Sequence, residues 1–167
     1  MNTIKSTIHT EVIFSDDEQH RYLLKKTWNE KKPACTVITM YPHLDSILSL
    51  DLTTVLILNQ LANSEQYGTV FLVNLLSNIK TSENLKHIKE PFDKHIDIHL
   101  MKAISESETV ILAYGAYAKR PVVVKRVEQV MEMLKSHKKK VKKLINPATN
   151  EIMHPLNPKA RQKWTLK

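Results

Sequence analysis

The sequence predicts an α/β fold: a three-layer αβα sandwich on a central four-stranded parallel sheet, with an N-terminal β-hairpin. Three observations carry that prediction. Residues 69–75 (Thr-Val-Phe-Leu-Val-Asn-Leu) and 109–114 (Thr-Val-Ile-Leu-Ala-Tyr) are apolar, β-branched-rich runs that stop at a polar or flexible residue. Such runs read as strands buried on both faces, the habit of parallel sheets. Segments with helical periodicity lie between the strand-like runs, and that alternation is the sign of a sheet covered on both sides.

The elements follow in order. Residues 11–14 and 21–28 read as antiparallel strands joined by the polar turn Ser15-Asp16-Asp17-Glu18. Residues 34–40 form a buried strand, broken by Tyr41-Pro42-His43. Asp51 is placed to cap a helix over 52–65, with Val55, Leu56, Leu58 and Leu61 on its apolar side. Gly68 precedes the strand at 69–75, and a polar loop, 77–92, follows. A helix over 93–106 presents Ile96, Leu100, Met101 and Ile104. After the strand at 109–114, Pro121 starts a helix to about 136. A last strand lies near 141–145. The chain divides into a hairpin extension (1–30), an α/β core (34–158) and a basic tail (159–167), all within one domain.

Composition bounds the function. A hydrophobic share of 42% and a charged share of 25% suit a soluble globular protein. No apolar run is long enough to span a membrane, and residues 1–10 lack the apolar core of a signal peptide. With 2 glycines, a Gly-rich phosphate loop is not expected. The lone Cys35 excludes an internal disulfide and a multi-cysteine metal site. The expectation is a cytoplasmic monomer with no cofactor and no metal. His95 and His99 share a helix face at metal-pair spacing, but no third ligand accompanies them, and a surface helix is the simpler reading.

The net charge is +8, which favours an anionic partner such as DNA. The excess is concentrated in His137–Lys143 and in Lys159, Arg161, Lys163 and Lys167. Lys142, Lys143, Arg161 and Lys163 are the expected DNA contacts. A solvated face is the other reading of these runs.

In open α/β sheets, ligands bind beyond the carboxyl ends of the strands. That edge gathers Tyr41, Pro42 and His43, then Asn74, then Tyr114 and Gly115, then Asn146 with His154 beyond. At these residues the chain resembles the uracil-DNA glycosylase superfamily. Residues 70–77 resemble its strand ending in the uracil-reading Asn. Residues 110–120 resemble its Trp-Gly strand with the basic residues that follow. His154-Pro155-Leu156 is similar to its His-Pro-Ser segment, and Met40-Tyr41-Pro42-His43 falls at its water-activating loop. The order agrees over roughly residues 35–158. The whole chain resembles more closely a bacterial domain family of unknown function, numbered 1643. Its members carry Arg-Tyr (here Arg21-Tyr22), Leu-Asn-Pro-Ser (here 40–43), Asp-Pro-Thr (here 51–53), Val-Asn-Leu, Trp-Gly and His-Pro-Leu.

The resemblance implies a glycosylase that flips uracil, or a related base, from DNA into a pocket and hydrolyses its N-glycosidic bond. It implies His154 as the donor to the leaving base and Asn74 as the reader of its edge. Tyr41, Pro42, Phe71 and Tyr114 would surround the ring. The superfamily's efficient members place Asp where Tyr41 stands, so Asp45 becomes the expected replacement acid. Each residue also has a plainer reading. Asn74 could satisfy loop backbone, His154 could pack on the sheet edge, Phe71 could belong to the core, and Asp45 and Asp51 could cap helices. The alternative function is a nucleic-acid-binding or interaction protein that keeps the fold without the chemistry; hydrolysis of a free nucleoside or nucleotide is a third.

Overall fold

A computed structural model of the protein describes residues 1–43, 47–81 and 87–167. Six strands form one sheet: β1 (His9–Phe14), β2 (Arg21–Thr27), β3 (Ala34–Thr39), β4 (Thr69–Asn74), β5 (Thr109–Leu112) and β6 (Val141–Lys143). Their spatial order is β1-β2-β4-β3-β5-β6. Strands β4, β3, β5 and β6 run parallel, as the apolar runs predict. The sheet as a whole is mixed, which corrects the expectation of a four-stranded parallel sheet with a separate hairpin. β2 pairs antiparallel with β4, from Leu24 opposite Leu72 to Thr27 opposite Thr69, and so makes the hairpin part of the sheet. β4 would otherwise be a bare apolar edge, a site for unwanted pairing.

A glycine secures this junction. A Cβ on Gly68 would lie 1.8 Å from the Asn29 carbonyl oxygen. The Gly68 carbonyl accepts hydrogen bonds from Trp28 N and Asn29 N at 2.9 and 3.0 Å. The close approach locks the start of β4 to the end of β2.

Among the described residues, four α-helices complete the layers: α1 (Leu52–Asn63), α2 (Ile96–Glu106), α3 (Pro121–Met133) and α4 (Pro158–Gln162). Ile57, Leu58 and Leu61 of α1 and Ala160 of α4 pack with Val37, Val70, Leu72 and Ile111 on one face. Leu100 and Ile104 of α2 and Val123 and Val130 of α3 pack with Ile38, Phe71, Val73 and Leu112 on the other. The strand residues alternate between the two cores with the period of two that a pleated strand imposes. Asp51 caps α1 as expected: its Oδ1 accepts from Thr54 N at 3.0 Å and its Oδ2 from the Thr54 hydroxyl at 2.6 Å.

The expected basic tail is also built into the body. After α4, Lys143 and Lys167 exchange backbone hydrogen bonds at 2.8 and 3.1 Å, and Ile145 N donates to Thr165 O. The chain end therefore covers the outer edge of β6. No helix among the described residues is long and apolar enough to cross a membrane.

Candidate active site

The connection through α1 covers one face of the sheet, and the connections through α2 and α3 cover the other. The chain thus changes sides between β3 and β5, and the connections that leave their carboxyl ends run to opposite sides. A switch point of this kind leaves a crevice that no helix fills. Here it holds a cavity of about 400 Å³, lined by Met40, Tyr41 and His43 after β3, by Tyr114 and Tyr117 after β5, and by His154. Its size is that of a small-molecule site.

His154 reaches the cavity by way of a short hairpin. Asn146 N donates to Glu151 O, Ile145 pairs with Ile152, and Met153 N donates to Leu144 O. Asn150 takes the left-handed conformation at its turn (φ 56°). The chain is thereby returned to the end of β6, with His154 next to Gly115. Gly115 has φ 75°, and a Cβ there would come within 2.9 Å of the His154 Cβ. A side chain at position 115 would be strained and would displace the imidazole.

The hydrogen bonding fixes the His154 tautomer. Leu156 N donates to His154 Nδ1 at 3.2 Å. Nδ1 is therefore the acceptor, and the neutral ring carries its proton on Nε2. Burial lowers the His154 pKa from 6.5 to about 4; the nearby His43 acts in the same direction, and Asp51 opposes both. At neutral pH the ring is an uncharged donor. Burial likewise raises the Tyr114 phenol, so that group also stays neutral. Burial acts to raise the Asp51 carboxyl, but the Thr54 hydrogen bonds, His43 and Arg21 together outweigh it and hold the carboxyl below its ordinary value.

Asn74 lies at the same edge but outside the cavity wall. It ends β4 opposite Thr39 and is 2% exposed. Its Nδ2 donates to the Thr39 hydroxyl at 2.6 Å, and its Oδ1 accepts from Arg21 Nη2 at 3.4 Å. Arg21 Nη1 also donates to His43 O at 3.4 Å. A gap of about 10 Å³ bordered by Arg21, Thr39, Asp51 and His154 separates this polar knot from the cavity.

The remaining expectations divide. Tyr41 lines the cavity, its ring 5.8 Å from His43 and edge-on to it. Pro42 is buried behind it. Phe71 is 4% exposed and packs in the core on the α2 face, opposite to Asn74. Asp45 lies outside the described residues. His99 stacks on Tyr22, centroids 5.1 Å apart, and His95 Nδ1 bonds Asp93 Oδ1 at 2.8 Å. Among the described residues no group of three His, Cys, Asp or Glu could hold a metal ion. Lys142, Lys143, Arg161 and Lys163 are exposed.

Three lining residues are ones that sequence reasoning does not single out: Tyr117, Glu151 and Asn157. Tyr117 follows the last residue of β5, Leu112, by five positions, on a turn of 3₁₀ helix at the cavity. Glu151 forms an ion pair with Lys119, and that hydrogen bond holds its carboxyl below the ordinary range. The signal for Glu151 is the turn sequence Pro147-Ala148-Thr149-Asn150 between two apolar pairs, which marks a hairpin returning to the site. Asn157 is an N-cap, its Oδ1 accepting from Lys159 N at 3.0 Å. Asn146, which the strand-end argument does place here, also lines the cavity. Its Oδ1 accepts from Ala148 N at 3.0 Å and from Lys159 Nζ at 3.4 Å.

Residues 21–156 match the family described as protein of unknown function (DUF1643). The chain belongs to that family. The match opens at Arg21 and closes at Leu156, so it spans both the polar knot and the His154 loop. No curated protein matches the chain, and no solved structure does.

Proposed function

We propose that the protein takes a nucleobase into the cavity and hydrolyses its N-glycosidic bond, as a DNA glycosylase acting on uracil or a related base. The observation that carries this reading is the fixed, neutral His154 tautomer at the wall of a cavity of about 400 Å³. When the bond from the sugar to the base breaks, its electron pair goes to the base and negative charge builds on the base carbonyl. The oxygen of a water bonds to the anomeric carbon in place of the base nitrogen, and the proton which that water loses is taken up by the base anion or passes to solvent, from which the base is protonated. A pre-aimed neutral donor stabilises that developing charge with no reorganisation. Tyr41 and Tyr114 supply aromatic surface for the ring.

We assign the amide roles from their hydrogen bonds. The Asn74 amide is committed to Thr39 and Arg21. The Asn146 amide is held by its oxygen, which leaves its NH2 group as the donor for a base edge. Asn146 is therefore given contact with the base, and Asn74 the support of the loop carrying His43. Asp45, the acid nearest the Tyr41 position in sequence, is given the water. Tyr41 in place of an acid favours the second reading, a nucleic-acid-binding protein without the chemistry.

The test is incubation with a uracil-containing oligonucleotide, followed by alkali. Strand scission at the uracil position, lost in His154→Ala, supports the glycosylase. Intact strands under every condition, with the oligonucleotide still bound, would leave the binding protein.

A further inference from the structure

Two groups of basic residues lie at opposite edges of the sheet. The lysine-rich run precedes β6 and lies at the amino edge, away from the cavity. Lys140 fixes this placement: its Nζ donates to Ile104 O and Ser107 O, the carbonyls that end α2 just before β5 begins. Lys138 and Lys139 are exposed beside it.

The second group rings the cavity. Each of four exposed cations touches a lining residue. Lys119 pairs with Glu151. The Arg120 guanidinium lies over the Tyr117 ring, 4.2 Å from its centroid. Lys159 Nζ donates to Asn146 Oδ1 at 3.4 Å, and Arg161 Nε donates to Leu156 O at 2.9 Å. Tyr117 itself is 59% exposed, a large aromatic left at the mouth.

Resting on the nucleobase reading of the cavity, we propose that the rim formed by Lys119, Arg120, Lys159 and Arg161, with Tyr117 among them, binds single-stranded nucleic acid in preference to duplex. Cations around a base-sized cavity meet the phosphates of the strand that delivers the base. An exposed tyrosine backed by an arginine offers a stacking surface to a neighbouring base. Only an unpaired, unstacked base presents its face to such a ring. Duplex would bring the phosphates but withhold the face. The lysine-rich run, at the far edge, takes no part in this binding.

The test is fluorescence anisotropy with a labelled oligothymidylate, alone and annealed to its complement, across a range of salt. The parent is expected to bind the single strand at least about tenfold more tightly than the duplex. Tyr117→Ala should weaken single-strand binding by about fivefold to a hundredfold, and Tyr117→Phe, which keeps the ring, should restore it. Replacing Lys119, Arg120, Lys159 and Arg161 by Gln should flatten the dependence of log affinity on log salt by up to roughly 3, about 0.7 for each phosphate that the rim no longer neutralises. Lys138→Gln with Lys139→Gln should leave it unchanged. If the fourfold variant melts early, Lys159→Gln alone should still lower the slope. Tighter binding to duplex, an equal loss in the Lys138 and Lys139 variant, or no binding at low salt would overturn the proposal. Binding through the rim without strand scission would keep the rim and remove the glycosylase. Scission unaffected by the rim variants would do the reverse.

Discussion

The carboxyl edge of the sheet has two halves built from similar materials with opposite results. Beyond β3 and β5 the connections part, and the polar and aromatic residues that follow the strands line a cavity. Over β4 and β2 the residues close on one another. Asn74 is bonded to Thr39 and Arg21, and Arg21 also reaches the His43 carbonyl. The cause of the difference is the added antiparallel strand. β2 begins at Arg21 beside the end of β4, so its first side chain fills the space that an unpaired strand end would leave open. One half of the edge lines an open cavity; the other commits its hydrogen bonds to its own residues and to the backbone of His43.

The largest expected effect breaks the open half. His154→Ala removes the uncharged imidazole at the cavity wall, and loss of one hydrogen-bond donor to developing charge typically costs about 10²–10³ in turnover. Stability at neutral pH should change little, because the imidazole lies at a cavity wall rather than in the core. Strand-scission rates and a thermal melt, read side by side, check both parts. A variant as active as the parent would remove His154 from the chemistry.

The same residue gives the next effect. Its pKa falls from 6.5 to about 4 on folding. Above pH 6.5 the ring is neutral in both the folded and unfolded chain, and nothing is lost. Between pH 6.5 and 4 the unfolded chain binds a proton that the folded site refuses, so stability falls as the pH falls. The loss contributed by this group approaches roughly 3 kcal/mol by pH 4. Urea unfolding of the parent and of His154→Gln should agree near neutral pH and diverge on the acid side, where the parent loses stability that the variant keeps. Parallel curves would mean that the ring is protonated in the fold.

The closed half should answer differently. Asn74→Ala removes a buried hydrogen bond of 2.6 Å to Thr39 and the interaction with Arg21. The expected cost is about 1–3 kcal/mol of stability, with a smaller effect on turnover than His154→Ala. A large drop in activity without a shift in the unfolding midpoint would place the Asn74 amide against the ligand after all.

Most of this comparison is half visible in the sequence. The strand ends are legible because β-branched runs stop abruptly at Thr39, Asn74 and Leu112–Tyr114, and the parallel order follows from the helices between them. The place of His154 at the cavity is legible from the strand-end argument, which puts it beyond Asn146 at the same edge. What the strand-end argument cannot see is which neighbour meets each end. The pairing of β2 with β4 joins residues far apart in the chain, and a hairpin's pattern says nothing about which edge it will cover. Arg21 therefore reads as a strand residue and not as the partner of Asn74. Phe71 and Asn74 are an odd number of residues apart on one strand, so alternation alone puts them on opposite faces. That rule is available from the sequence and separates the core residue from the edge residue. Glu151 is hidden for another reason: a short hairpin with one-residue bridges carries almost no periodicity.

The smallest expected effect tests whether the rim belongs to the chemistry. Glu151 lines the cavity and is its one acid among the described residues, yet its carboxylate is held by Lys119 at an exposed position. An exposed ion pair contributes little to stability, so Glu151→Gln should leave the melting temperature where it was. The pairing also commits the carboxylate, and its lowered pKa makes it a weak base. Turnover should therefore stay close to that of the parent, with a modest change in the affinity for nucleic acid as the net charge of the rim rises by one. Removing a true general base would instead cost about 10²–10⁴-fold. A loss of that size would transfer the activation of water from Asp45 to Glu151. The open half of the edge would then hold both the acid–base group and the donor, one on each side of the same cavity.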